Sequence, residues 1–177
     1  ASKGGNFLLN VGPRADGTFP PEAVDRLGEM GQWMARHGAA IYESAASPFG
    51  ALEWGRCTLR MTGPLRDQPI LSLFLYRLPS DGRVVLPGLQ TGWPLGVLVD
   101  GVGAPDIDIL TIAPDVILMG VGEAASDPFC PRVDLICSPP WDVYAPASIT
   151  APTPEFTDSL TITLAHAPSI LSQVVVS

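Results

Sequence analysis

Positively charged residues are scarce in this sequence. Its 177 residues include ten Lys plus Arg against eighteen Asp plus Glu, and no lysine follows Lys3. Nucleic acids and anionic membranes are bound by clustered cations, so a net charge of -8 disfavours both as partners. Long hydrophobic runs are missing too. The strongest, Ile70 to Leu78, spans nine residues, which suits a buried strand and is too short to cross a membrane.

Cysteine is also scarce, and its spacing argues against a metal site. Cys57, Cys130 and Cys137 form no CxxC pair, and no histidine stands at ligand spacing, so we expect no metal and no cofactor. Two states of the thiols stay open. Either Cys130 and Cys137 close a small disulfide loop in an exported chain, or all three thiols are reduced and partly buried. Hydrophobic residues make up 46% of the chain, which is enough to build a core.

The most informative stretch runs from residue 4 to residue 22, and we call it the opening segment. Asn6 to Val11 is a nearly continuous apolar run, which predicts a strand covered on both faces, as in a parallel α/β sheet. Gly12 ends this run, and Asp16-Gly17 predicts a turn. Pro20-Pro21-Glu22 predicts the start of a helix, because proline fits the first turn and a carboxylate favours the positive helix end.

The helix is predicted from Glu22 to Arg36. Its apolar residues and glycines recur at alternating spacings of three and four, so they share one face that we expect to pack on a sheet: Val24, Leu27, Gly31, Met34, Gly38 and Ile41. Arg36 and His37 suit the negative carboxyl end, and Gly38 is expected to end the helix in the left-handed conformation. A catalytic or ligand role for His37 is the alternative to this helix-end role.

After Tyr42 the helical periodicity stops, and short β-rich runs alternate with Gly and Pro turns. This spacing is typical of an antiparallel β-sandwich. The runs on either side of Pro79-Ser80-Asp81-Gly82 are predicted to pair as a hairpin. Seven strands are predicted: Cys57 to Met61, Ile70 to Leu78, Arg83 to Leu86, Leu95 to Val99, Ile107 to Ile112, Val116 to Val121, and Val133 to Cys137.

The opening segment resembles the α-L-fucosidases of glycoside hydrolase family twenty-nine. The matching tail, Gly38 to Tyr42, is preceded by His37 where the family usually has Asn. The resemblance continues less densely to about residue 121, for example at Trp54-Gly55-Arg56-Cys57-Thr58. Its main residues are Ser2-Lys3-Gly4-Gly5-Asn6, Leu8-Leu9-Asn10-Val11-Gly12-Pro13, Ala15-Asp16-Gly17-Thr18 and Pro20-Pro21-Glu22.

The resemblance implies a fold class and a division of the chain. The class is mainly β: the last β-α unit of a (β/α) barrel, an antiparallel β-sandwich, and the start of a second β module. Residues 1–42 are the terminal strand and helix of a truncated catalytic barrel, and 43–137 are the accessory sandwich. Residues 138–154 are a proline-rich linker. Residues 155–177 begin a further module, similar to a small β-sandwich often appended to secreted glycosidases.

The implied function is that of a carboxyl-terminal fragment of a retaining α-L-fucosidase, which hydrolyses terminal α-L-fucose from glycoconjugates. Retention needs two carboxyl groups roughly 5–5.5 Å apart. In the family both lie upstream of the part that this chain resembles, so we assign no catalytic residue and expect the isolated chain to be inactive. The implied partner is a fucosylated glycan held by the missing barrel. The implied location is secreted or periplasmic.

Asn10 and Gly12 are the candidate substrate-binding residues, because active sites of such barrels lie at the carboxyl ends of the strands. Asn10 donates a hydrogen bond to a sugar hydroxyl, or else its amide holds the following loop. Trp54 stacks on a sugar, or it anchors the helix to the sandwich. The nearby carboxylates are assigned structural roles: Asp16 in a turn, Glu22 at the helix start, Glu43 and Glu53 in a surface linker. The alternative function is a non-catalytic carbohydrate-binding or structural β-sandwich module.

Overall fold

The computed structural model describes residues 1–62, 68–91, 96–103, 106–124 and 127–144. Residues 1–5 and 33–144 belong to one compact unit, and residues 6–32 belong to a second. No helix in the described ranges is long and apolar enough to cross a membrane. The elements are α1 (Pro21–His37), a 3-10 turn (Gly38–Ala40), β1 (Gly55–Thr62), β2 (Gln68–Leu75), β3 (Val84–Leu86), β4 (Leu89–Thr91), β5 (Gly96–Val99), β6 (Val102–Gly103), β7 (Asp108–Ile112), β8 (Asp115–Met119), α2 (Val121–Ala124), β9 (Arg132–Ile136) and β10 (Trp141–Val143).

The strands form an antiparallel β-sandwich, as predicted. A five-stranded sheet has the order β1-β2-β9-β5-β6, a three-stranded sheet has the order β3-β8-β7, and β10 pairs with β4. Alternate residues of the two larger sheets enter one buried cluster, with Leu73 and Leu135 from the first and Val84 and Leu118 from the second. One core lined by two antiparallel sheets defines a sandwich.

The five-stranded sheet is buried on its outer face as well. Leu71 and Leu73 of β2 face the core. Ser72 and Phe74, which alternate with them along the strand, face the other way and are also buried. Part of the cover comes from the turn that follows α1, because the hydroxyl of Thr58 donates a 2.7 Å hydrogen bond to the carbonyl of Ala40. The sheet therefore places polar side chains beneath the end of α1.

All seven predicted strands are present, but the predicted hairpin is wrong. The turn itself forms: the N–H of Gly82 donates to the carbonyl of Pro79 at 2.9 Å, and Gly82 has φ +68°. However, β2 pairs with β1 and β9, whereas β3 pairs with β8. The turn thus carries the chain from one sheet to the other. Both edges of β2 are already paired, one with β1 and one with β9, so neither is left for β3.

The opening segment departs from its predicted strand. The helix is confirmed, from Pro21 to His37, but Asn6 to Val11 adopts no strand within the described residues. A strand exists only through hydrogen bonds to a neighbouring strand, and the described part of the chain supplies none here. The apolar side chains of this second unit are accordingly accessible: Phe7, Leu8, Phe19, Val24, Leu27 and Met30 are all exposed.

Two boundaries also differ from the prediction. Gly38 is not among the glycines with positive φ, and the chain continues from His37 into the 3-10 turn Gly38–Ala40. At the other end, Trp141–Val143 pairs with Leu89–Thr91, so paired chain extends into the range predicted as a linker. Pro139 and Pro140 directly precede this strand, but its three residues suffice for pairing. The predicted module at 155–177 lies outside the described residues. All three cysteines are free thiols.

Gly55, at the start of β1, is required by the close approach of β2. A Cβ atom there would lie 1.8 Å from the backbone oxygen of Phe74, while a Cβ at Gly96 in β5 would meet nothing within 4 Å. We expect Gly55→Ala to lower the free energy of unfolding by about 2–3 kcal/mol, because backbone must move to admit the methyl group. Urea denaturation measures this loss. Gly96→Ala is the matched control, and equal stability of the two variants would contradict the prediction.

Candidate functional site

The predicted substrate-binding residues lie in the second unit. Asn10 and Gly12 are both exposed and belong to no helix or strand. The side chain of Asn10 makes no hydrogen bond within the described residues, so it does not hold the following loop. That loop is closed by its own backbone, since the N–H of Arg14 donates to the carbonyl of Thr18 at 2.7 Å. The amide of Asn10 is therefore available for a ligand.

The loop carboxylate has the structural role predicted for it. Asp16 accepts hydrogen bonds from the backbone N–H of Thr18 at 3.0 Å and from the Thr18 hydroxyl at 2.8 Å. The backbone hydrogen bond and then the hydroxyl hold the pKa of Asp16 below its ordinary value. Gly17 follows with φ +82°, as the turn requires. Asp16 is thus an ionised turn residue, unsuited to accept a proton as a catalytic acid or base.

A group of charged and titratable side chains, most of them buried, lies at the carboxyl end of α1, within the first unit. We call it the α1-end cluster: Arg36, His37, Asp100, Asp127, Arg132 and Asp134. It joins the last turn of α1, the β5–β6 turn, the loop before β9, and β9 itself. The imidazole of His37 is fully buried.

Asp127 is the hub of this cluster. Its Oδ2 lies 3.0 Å from His37 Nε2 and accepts a 2.9 Å hydrogen bond from Arg36 Nη2. Its Oδ1 accepts hydrogen bonds from the backbone N–H groups of Phe129 and Cys130, at 2.9 and 3.1 Å. Desolvation raises the pKa of Asp127, but these four bonds, led by that from His37, outweigh it and hold the pKa well below the usual range.

The rest of the cluster is tied to β9. Arg132 donates from Nη1 to the carbonyl of Arg36 at 3.2 Å, which satisfies a carbonyl at the end of α1. Its Nε lies 3.2 Å from Asp134 Oδ2, an ion pair whose alignment is too poor for a hydrogen bond. Its backbone N–H donates to Asp100 Oδ1 at 2.9 Å. The cluster is therefore a structural junction between the helix end and the sandwich.

A cleft of about 320 Å³ lies beside this junction in the same unit. It is lined mainly by aromatic and aliphatic side chains, among them Trp33, Phe74 and Tyr76, with the Arg56 guanidinium as its one charged side chain. Cys130 also lines it, and burial, followed by the charges of Asp127 and Asp100, raises the pKa of that thiol to about 11. The Cys130 thiol is therefore protonated near neutral pH and is a poor nucleophile there.

Trp54 belongs to the sandwich core. Its side chain is buried, and Nε1 donates a 2.9 Å hydrogen bond to the carbonyl of Val85 in β3. It is not accessible for stacking on a sugar.

In addition, the described residues contain no group of three His, Cys, Asp or Glu side chains that could hold a metal ion. Asp127 was not predicted, because an aspartate in a loop between strands has no sequence pattern that reveals its partners.

Comparison with known proteins shows that this chain is similar to one family of enzymes. A model of the alpha-L-fucosidase family matches residues 1–39. The α-L-fucosidase of Dictyostelium discoideum is 39% identical over 83 residues, which are 47% of this chain and 17% of that protein. The chain therefore spans about a sixth of the length of this curated relative.

Solved structures extend the likeness to the sandwich. An α-L-fucosidase isoenzyme from Paenibacillus thiaminolyticus matches 77% of this chain and 32% of its own, with 31% identity and a TM-score of 0.61. A Bacteroides thetaiotaomicron α-L-fucosidase, trapped as a covalent intermediate with 2-fluoro-fucosyl fluoride, shares the fold at 23% identity and a TM-score of 0.54. The resemblance predicted from the opening segment is confirmed.

Asp127→Asn tests the hub by removing its charge and keeping its shape. We expect the free energy of unfolding at pH 7 to fall by about 3 kcal/mol, because the groups that donate hydrogen bonds to Asp127 lose the carboxylate charge with which they pair. The pKa of Asp127 is lowered on folding from a value of 3.8. The carboxylate therefore stabilises the fold above about pH 4 and loses that contribution as the pH falls further. The difference between wild type and variant should narrow below about pH 4.

Urea denaturation at neutral and acid pH measures both effects. Asp108→Asn is the matched control, since Asp108 is exposed on β7, and its free energy of unfolding should change by less than about 0.5 kcal/mol. An Asp127→Asn variant as stable as wild type at pH 7 would show that the hub carries no net stabilisation.

Proposed function

We propose that this chain is the carboxyl-terminal part of a retaining α-L-fucosidase that removes terminal α-L-fucose from glycoconjugates. One observation carries the proposal: the sequence comparison and the structural comparison point to the same enzymes. The family match covers residues 1–39, and the likeness to the Paenibacillus enzyme covers 77% of the chain. That share is larger than the matched opening residues, so it includes the sandwich.

Retention is supported by the chemistry of a structural relative. The Bacteroides enzyme was trapped as a covalent intermediate, and a covalent glycosyl-enzyme is the mark of a retaining mechanism. Such a mechanism needs a nucleophile and a general acid/base. Two carboxylates of this chain have other partners: Asp16 is held by Thr18, and Asp127 by His37 and Arg36. We therefore propose that both catalytic carboxyl groups belong to the part of the enzyme that this chain does not span.

Within this scheme, the chain contributes to the active site through Asn10 and Gly12. The exposed amide of Asn10 offers two N–H donors and one acceptor, which suit a sugar hydroxyl. The space beside Gly12 is open, since an added Cβ would meet nothing within 4 Å. The exposed backbone of Gly12 is therefore accessible. Asn10 lies near the end of the apolar run that the family resemblance assigns to a barrel strand, and Gly12 follows that run, at the end where barrel active sites lie.

The activity test uses an aryl α-L-fucoside. We expect the isolated 177-residue chain to release no aryl alcohol above the blank, because it lacks both catalytic carboxyl groups. The full-length product of the same gene should hydrolyse the substrate, and proton NMR should show the α-anomer of fucose as the first product. Turnover by the isolated chain, or first release of the β-anomer, would contradict the mechanism. An upstream reading frame that encodes no barrel would sink the proposal as a whole.

Asn10→Ala in the full-length enzyme tests the assigned binding role. Loss of one uncharged hydrogen bond should lower kcat/KM about 3- to 10-fold, since such a bond contributes about 1 kcal/mol. Asn6→Ala is the matched control: the same change at an exposed position four residues earlier, where kcat/KM should stay unchanged. Equal activity of the two variants would remove Asn10 from the site.

A further inference from the structure

The cleft beside the α1-end cluster has no assigned role in the proposed hydrolysis, yet its lining is that of a small-molecule site. Such sites are mostly apolar and aromatic, with a few polar groups that fix the ligand. The floor of this cleft is the outer face of β1 and β2. Arg56 and Phe74 pair across these strands, and Thr58 lies two residues along from Arg56, so the three side chains share one face. Tyr76 lines the cleft just beyond the end of β2.

The wall of the cleft is held in place by hydrogen bonds. The Trp33 ring of α1 lies 6.0 Å from the Phe74 ring, centroid to centroid, and its Nε1 donates a 3.4 Å hydrogen bond to the carbonyl of Cys130. The loop that carries Cys130 is fixed in turn, because the backbone N–H of this residue donates to Asp127 Oδ1 at 3.1 Å. Side chains that are fixed before a ligand arrives lose little further freedom when it binds, which favours affinity.

Arg56 brings a positive charge to this cleft. Its Nη1 donates a 3.0 Å hydrogen bond to the carbonyl of Gly55, and its side chain forms no ion pair within the part of the chain that the structure describes. Most of the five N–H donors of the guanidinium are therefore left for a ligand. Their planar fork matches a carboxylate, which it binds through two parallel hydrogen bonds. Arg56 thus indicates an acidic ligand.

The accessible rings of the cleft suit the flat face of a sugar. Tyr76 is 64% exposed and Trp33 is half-buried, so both present ring surface to a ligand. Tyrosine and tryptophan combine a large apolar face with a polar tip, and a pyranose ring likewise combines an apolar C–H face with hydroxyl groups. The cleft volume of about 320 Å³ lies at the lower end of the range for small-molecule sites, about 300–1,000 Å³, which fits a small ligand.

The charges around the cleft also set the direction of an acidic ligand. Burial, followed by the charges of Asp127 and Asp100, raises the pKa of the Cys130 thiol to about 11, so negative charge acts on the part of the cleft that Cys130 lines. A carboxylate is repelled there and is attracted by the guanidinium of Arg56. The acidic group of a ligand is therefore expected at Arg56.

We propose that this cleft binds a sugar ring that carries a carboxylate, with the ring against Tyr76 and Trp33 and the carboxylate paired with Arg56. The pairing of Arg56 with an acid does not depend on the proposed function. The choice of a sugar among ring-bearing acids rests on it, because an enzyme that acts on glycoconjugates also meets their acidic sugars.

The test titrates the full 177-residue chain with methyl β-D-glucuronide and follows the indole N–H signals by nitrogen-15 NMR. The signal of Trp33 should shift saturably, whereas that of Trp54 should stay, because its indole is buried and bonded to Val85. Methyl β-D-glucoside, the same ring without the carboxylate, should bind about 5- to 10-fold more weakly, because it cannot form the charge-assisted hydrogen bonds with Arg56. Equal affinity for the two glycosides, or an unmoved Trp33 signal, would overturn the proposal.

Arg56→Gln tests the charge directly. Its affinity for the glucuronide should fall to that of the wild type for the glucoside, while its affinity for the glucoside should not change. Arg83→Gln is the matched control, since it removes one positive charge at an exposed position outside the cleft, and it should keep the wild-type affinities. Equal losses in the two variants would show that net charge, and not Arg56, governs binding. If Arg56→Gln does not fold, the comparison of the two glycosides on the wild type still decides.

Benzoate separates a sugar from other ring-bearing acids. We expect it to bind more weakly than the glucuronide, because it lacks the hydroxyl groups that Tyr76 and Thr58 can meet, and equal or tighter binding of benzoate would contradict the sugar. The outcome is also separate from that of the hydrolysis assay. An inactive full-length enzyme whose chain binds the glucuronide would remove the proposed function alone, whereas an active enzyme without this binding would remove only the present inference.

Discussion

Burial of the five-stranded sheet on both faces is the constraint on which the rest of the structure depends. The inner face packs in the sandwich core. The outer face carries polar side chains that are nevertheless buried, among them Thr58, Ser72 and Asp134. Because buried polar groups need partners, the chain must supply covering groups that can form hydrogen bonds and ion pairs. The end of α1 and the turn after it supply two of them: the carbonyl of Ala40 accepts from Thr58, and the carbonyl of Arg36 accepts from Arg132 of β9. Ser72 Oγ, on the same face, has no hydrogen-bond partner within the described residues.

This constraint explains why the helix end and the sandwich form one unit. A helix that ended on an apolar sheet would need only an apolar face. Here its last carbonyls accept hydrogen bonds from Arg132 and Thr58, and its basic last turn meets Asp127. The left-handed end expected at Gly38 is therefore not used. A Cβ on Gly38 would lie 3.0 Å from the Tyr42 ring, so glycine here serves close packing of the following turn.

The sequence was informative wherever a local pattern determines the structure. The β-rich runs between Gly and Pro turns located the seven main strands, and the capping residues located α1. The prediction failed where strand pairing depends on distant parts of the chain: the turn at 79–82 was right and its hairpin wrong, since β2 pairs with β1 and β9. The strands β4, β6 and β10 were not predicted, because each is only two or three residues long. The α1-end cluster was missed for the same reason, because residues about ninety positions apart meet in it.

Asp16 and Asp127, two carboxylates whose hydrogen-bond partners the structure gives, both have structural roles. A catalytic carboxylate must be able to change its protonation state or attack a substrate, so it needs access and a pKa near its task. Asp127 has neither, since four hydrogen bonds hold it ionised and its side chain is 3% exposed. Asp16 is accessible but fixed as a turn acceptor. The amide of Asn10 and the backbone of Gly12 are exposed and uncharged. The α1-end cluster, in contrast, ties the helix end to the sandwich, so its charges serve the fold.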